Sequence, residues 1–122
     1  MSKAKAQGTR HESWIVTAFK AVGIRSNRIA EGGSSDEGDV EAHIHDVRWV
    51  IEGKARQNLN VQKTLAKARE KAGAGTPVAL VWKRLVKVDG YTNRQPVSGE
   101  RIVVVLSWDD FLKLIERNEE NE

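Results

Sequence analysis

From Gly38 to Lys54 the chain alternates polar and apolar residues in two runs that meet at His45-Asp46. Val40, Ala42 and Ile44 alternate with Asp39, Glu41 and His43, and Val47, Trp49 and Ile51 alternate with Arg48, Val50 and Glu52. Period-two alternation is a strand pattern, and two such runs around a two-residue turn read as a β-hairpin. With His45 and Asp46 as the turn, Ile44 pairs with Val47 and Asp39 falls opposite Glu52. Directly opposed side chains share a face, with Cβ atoms about 4.5–5.5 Å apart. Lys54 lies two residues beyond Glu52 and points to that same face. The opposite face collects Val40, Ala42, Ile44, Val47, Trp49 and Ile51, an apolar set that belongs in a core.

Two carboxylates and an ammonium therefore converge. Carboxylates this close repel one another unless a cation lies between them. Their oxygens suit Mg²⁺ or Mn²⁺, which can polarise a phosphate and acidify a bound water. Lys54 is placed to orient that water or to stabilise charge developing on the phosphate. This is equipment for phosphodiester hydrolysis. The same residues also fit a solvated cross-strand ion cluster on the polar face of a half-exposed hairpin.

The rest of the chain supplies a frame. A helix is expected from Thr9 or Ser13 to about Val22, with Ile15, Ala18, Phe19 and Val22 as its apolar stripe and Gly23 as its stop. Ile24 to Ile29 reads as a short strand and the Gly-Gly-Ser-Ser stretch at 32–35 as a loop. Asn60 is placed to cap a second helix through about Ala72, with Gly73 past its end. Val78–Trp82 and Ile102–Leu106 read as buried strands. Residues 84–100 read as a protruding hairpin or a mobile binding loop. Ser107 and Asp110 have capping-box spacing for a last helix to about Arg117. The expected organisation is a basic flexible arm at 1–8, one α/β domain at 9–117 and an acidic tail at 118–122, with a mixed β-sheet flanked by helices.

Charge is distributed unevenly. Residues 1–52 carry 7 Lys/Arg against 8 Asp/Glu, a net of −1; residues 53–101 carry 11 against 3, a net of +8; residues 102–122 carry 2 against 6, a net of −4. A basic middle beside a carboxylate-bearing hairpin suits a polyanion. Arg56, Lys63, Lys67, Arg69 and Lys71 are candidate phosphate contacts, which Lys83, Arg84, Lys87 and Arg94 extend. Trp82 is a candidate for stacking on a base, and the tryptophans otherwise read as core or interface. His11, His43 and His45 make no convincing metal triad, and His43 reads as a surface partner of Glu41 and Arg48. The chain has no cysteine, which excludes thiolate chemistry and disulfides. No apolar run is long enough to span a bilayer and the N-terminus has no signal-type apolar region, so a soluble, cytoplasmic protein without membrane partners is expected.

Gly38-Asp39-Val40, then a hairpin, then Val50-Ile51-Glu52-Gly53-Lys54 resembles the PD-(D/E)XK nuclease superfamily. The short chain and Arg10-His11-Glu12 on the first helix resemble, within it, the Holliday-junction resolvases of archaea and phages. The resemblance runs from about Arg10 to Val81. It implies a restriction-endonuclease-like fold and a Mg²⁺-dependent endodeoxyribonuclease, with Mn²⁺ as a substitute. Asp39, Glu52 and the Gly53 backbone carbonyl would hold the metal, Lys54 would be catalytic, and Glu12 would complete the site. Gly38 stands where the superfamily's name has proline. Arg10, Gln62 and Lys63 join the candidate DNA contacts. The resemblance further implies branched or duplex DNA as substrate, a homodimer, and the cytosol of a prokaryotic or phage-infected cell. A nickase, a restriction-type enzyme or a recombination exonuclease of the same fold remains open, as does a non-catalytic DNA-binding module. Glu12 has a second reading as the capping-box partner of Thr9.

Overall fold

His45 and Asp46 close a two-residue turn with φ of 51° and 67°. Positive φ at both central positions matches the right-handed twist of the flanking strands. The turn sets the pairing behind it. Ile44 faces Val47, Val40 faces Ile51 and Asp39 faces Glu52, as expected.

The computed structural model describes residues 3–29, 39–88, 91–93 and 102–120. Along the chain these form α1 (Lys3–Ala21), β1 (Arg25–Arg28), β2 (Asp39–Ile44), β3 (Val47–Arg56), α2 (Val61–Ala72), β4 (Val78–Arg84), β5 (Val86–Val88), β6 (Tyr91–Asn93), β7 (Ile102–Val105) and α3 (Trp108–Glu120). A five-stranded sheet runs in the order β1-β2-β3-β4-β7. β3 and β4 are parallel, joined through α2, and the other neighbours are antiparallel. The protein is thus a mixed α/β domain with helices on a mixed sheet. Among the described residues, no helix is long and apolar enough to cross a membrane.

One sheet face packs Val40, Ala42, Trp49, Ile51, Ala79 and Val81 around Ile15 of α1. On the other face, Val50 and Val78 pack on Ala68, with Leu65 and Ala72 of α2 beside them. Val50 is the apolar residue on the polar side of the hairpin, and it lets α2 cover a face that alternation alone left to solvent. Asn60 caps α2, its side chain accepting the Lys63 N–H at 3.0 Å, and Gly73 ends the helix at a φ of 89°.

Several boundaries differ from expectation. α1 starts at Lys3, so residues 3–8 are helix and not a flexible arm. Lys, Ala and Gln have high helix propensity but supply no apolar stripe, so periodicity could not reveal this start. α3 continues to Glu120, taking in part of the expected acidic tail. β7 is not buried: it lies at the sheet edge with Val103 and Val104 exposed. Ser107 caps α3, its Oγ accepting the Asp110 N–H at 3.1 Å, but the Asp110 carboxylate does not close a capping box. The Asp110 carboxylate is fully buried, accepting the Val78 N–H at 3.1 Å and a hydrogen bond from Arg69 Nη2 at 2.8 Å. β5 and β6 form the hairpin expected within 84–100. The expected loop at 32–35, Gly38 and Arg94 lie outside the described residues.

Candidate active site

Asp39 begins β2 and Glu52 lies opposite it on β3, each 3 % exposed. The two-residue turn fixes that opposition, and α2 shuts solvent away from it. Burial, then a hydrogen bond with Asp39 and the Asp39 charge, push the Glu52 carboxyl up to about 8, while Lys71 and Lys54 pull it down. Two buried carboxyls side by side hold a proton between them when no cation neutralises the pair. Glu52 Oε2 is buried with no hydrogen-bond partner among the described residues. A facing pair of carboxylates with an unsatisfied oxygen fits a hard divalent cation.

Lys54 follows on the same strand face and, with Glu52 and Arg56, lines a cleft of about 690 Å³. The far wall is α2. The Asn60 cap sets the phase of this helix, and Lys63, Lys67 and Lys71 recur every four residues along one side, all lining the cleft. Lys71 reaches furthest in. Its Nζ lies 3.4 Å from Asp39 Oδ1 and Oδ2 and 3.6 Å from Glu52 Oε1. The sequence reading placed Lys71 among phosphate contacts only. Its four-residue spacing from Lys63 and Lys67 was the available signal, but its contact with Asp39 spans a sequence separation that periodicity does not address.

Gly53, between the two site residues of β3, faces the opposite way. A Cβ built there would lie 3.0 Å from Ile15 Cδ1 and 3.4 Å from His11 Cδ2, so glycine lets α1 approach. His11 is buried, and its Nε2–H donates to the Val81 carbonyl at 3.0 Å. Burial, the largest influence, pushes its pKa down.

Glu12 is held by a cation from β1. It is 2 % exposed and its Oε1 accepts Arg28 Nε at 2.9 Å. The inward-facing carboxylate finds its counter-charge on β1. Among the described residues, no three His, Cys, Asp or Glu side chains gather closely enough to hold a metal. Glu12 does not cap α1 either, because the helix starts well before it.

The candidate DNA contacts divide. Arg56, Lys63 and Lys67 line the cleft. Arg84, level with Arg56 in the β3–β4 register, shares its sheet face. Gln62 is exposed on α2 outside the cleft lining, and Arg10 is exposed on α1. Lys83 is buried on the α1 side of the sheet, its pKa lowered by burial and then by the Arg10 charge. A strand alternates faces, so Lys83 and Arg84 cannot both reach the cleft. Arg69, read as a phosphate contact, is bound to Asp110 and Ser107. The Trp82 indole N–H donates to the Arg56 carbonyl at 2.9 Å. Glu41 takes Arg48 Nε at 2.7 Å, with His43 beside it, as the sequence suggested.

Comparison with protein-family models, with curated proteins and with solved structures finds no match. The site therefore stands on its own geometry.

Proposed function

We propose that this protein is a metal-dependent, structure-selective DNA endonuclease with a restriction-endonuclease-like fold, and specifically a Holliday-junction resolvase. The observation that carries this reading is the buried Asp39–Glu52 pair facing across the β2–β3 ladder, with Lys54 on the same face at the floor of a basic cleft. Asp39 and Glu52, with the Gly53 carbonyl that the resemblance implies, would hold Mg²⁺ or Mn²⁺. The bound ion supplies Lewis-acid stabilisation of a phosphoryl oxygen. Lys54 stands beside Glu52 to stabilise negative charge on the reacting phosphate. Arg56, Lys63 and Lys67 position the backbone without reading bases. Glu12, which the resemblance would add to the metal site, binds Arg28 and so links α1 to β1.

A two-fold homodimer would give two such sites for two strands. Its support is an apolar groove of about 340 Å³ between α1 and β7, bounded by Trp14, Val22 and Val104, beside the strand that ends the sheet among the described residues. A second copy of the chain, pairing edge to edge, covers both features.

Labelled four-way junction, flap, duplex and single-stranded DNA, each with Mg²⁺ and with chelator, form the decisive panel. Wild type is expected to cut the junction with Mg²⁺ alone, and Asp39→Ala and Glu52→Ala to cut nothing. Cleavage surviving in both variants would show that the site is elsewhere. Junction binding without cleavage by wild type would replace this reading with a non-catalytic DNA-binding module.

A further inference from the structure

The Asp39–Glu52 pair is already neutralised in part by a residue of its own chain, and the geometry of that contact is loose. Lys71 Nζ stands 3.4 Å from both Asp39 oxygens and 3.6 Å from Glu52 Oε1. An ammonium committed to one carboxylate closes to about 2.7–2.9 Å. The ammonium therefore straddles the pair. The carboxylates are held on paired strands and are nearly inaccessible, whereas the Lys71 side chain is 45 % exposed on a flexible stem in the last turn of α2. Lysine is the movable member of the three.

We propose that Lys71 is a displaceable counter-cation: its ammonium fills the space between Asp39 and Glu52 until a divalent ion arrives, then swings into the cleft. This rests on reading the pair as a divalent-cation site. A divalent ion held by both carboxylates would need the space that the ammonium now faces. Two cations cannot share that space. One ammonium leaves Glu52 Oε2 without a partner among the described residues, whereas a doubly charged ion neutralises both carboxylates, and a proton held between them leaves to solvent as the ion binds. Na⁺ and K⁺ carry no more charge than the ammonium already in place, so they do not displace it. Once released, Lys71 lies in line with Lys63 and Lys67 on the cleft wall. There it meets a phosphate rather than a carboxylate. The lysine thus weakens metal binding to the free protein and returns its charge to the substrate when the metal is bound.

The first test titrates Mn²⁺ into the metal-free full chain, with free Mn²⁺ read by electron paramagnetic resonance. Lys71→Ala is expected to bind Mn²⁺ about 10-fold more tightly than wild type, in the range of ordinary site–site coupling, and Lys71→Arg to stay near wild type. Equal or weaker binding by Lys71→Ala overturns the proposal. Because that variant strips the ammonium from two buried carboxylates, a second readout uses the wild-type chain. Limited acetylation, resolved by mass spectrometry, is compared with and without Mn²⁺. Labelling of Lys71 should rise several-fold with Mn²⁺ while exposed Lys20 on α1 stays constant. Unchanged or reduced Lys71 labelling overturns the proposal. If neither wild type nor variant binds Mn²⁺, the metal reading falls with it. If Lys71→Ala tightens Mn²⁺ binding but wild type cuts no DNA, Lys71 keeps this role and the nuclease reading falls alone.

Discussion

Ile15 Cδ1 stands 3.0 Å from the point where a Cβ on Gly53 would lie. α1 thus rests directly on the backbone of β3, between the strand's two site residues. Gly53→Ala pushes a methyl into two buried neighbours, Ile15 and His11, and overpacking of that kind costs about 1–3 kcal/mol. Ile15→Val removes the atom in the way. The double variant Gly53→Ala/Ile15→Val should therefore be more stable than the two single losses added together, measured by denaturant unfolding. Simple additivity would show that the strand, and not Ile15, takes up the methyl.

Stability in chelator should fall as pH rises from about 4.5 to about 8. Glu52 is raised from an ordinary 4.5 to about 8, so in that window the folded state holds a proton that the unfolded state has released. Its contribution is complete below 4.5 and is lost as pH climbs through 8. Asp110 acts on the acid side. Burial would raise its pKa, but the Val78 N–H, Arg69 and Lys113 outweigh burial and lower it below 3.8. Its contribution is present above 3.8 and disappears as pH falls through the lower value. Thermal melts across pH should show Glu52→Gln flattening the alkaline descent and Asp110→Asn flattening the acid one. Mn²⁺ should stabilise wild type increasingly as pH rises towards 8, because the proton it must displace from Glu52 is then released more easily.

The cleft cations should act through phosphate alone. Lys63→Ala/Lys67→Ala is expected to weaken binding to every DNA form alike. It should reduce the slope of log K against log salt by about 1–2 for two lost phosphate contacts. Binding in chelator across a salt series measures this. An unchanged slope would remove the α2 wall from the DNA path.

Val104 is 60 % exposed on the edge strand. Val104→Asp should leave the folded monomer's stability within about 0.5 kcal/mol. It should halve the mass seen by light scattering if the β7 edge joins two copies. A wild-type chain that is monomeric at all concentrations would rule the dimer out.

How far the sequence carries depends on the range of the interaction. The hairpin register was legible because a local turn and a local alternation determine it, and Asp39 opposite Glu52 followed directly. Asn60 and Gly73 marked α2 for the same reason. The Arg28 partner of Glu12 was not legible, because an inward carboxylate announces a need for positive charge without naming its source, and Arg28 lies on a different element, β1. Lys71 lay in plain sight on a lysine row, but its target is on a different element. β7 looked buried because five consecutive aliphatic residues, Ile102 to Leu106, read alike in a core and at an exposed sheet edge. Lys83 and Arg84 read as one basic patch until the strand placed them on opposite faces.

His45 and Asp46 occupy the exposed tip of the hairpin, a place where chains ordinarily drift in sequence and length at little cost. Here that freedom is withdrawn. Both positions need a left-handed backbone, which favours glycine and asparagine over most other replacements. A two-residue tip leaves no slack for deletion, and an insertion must be absorbed as a bulge before it reaches the carboxylates. The solvent-facing end of this hairpin should therefore be among the segments of the protein least free to vary.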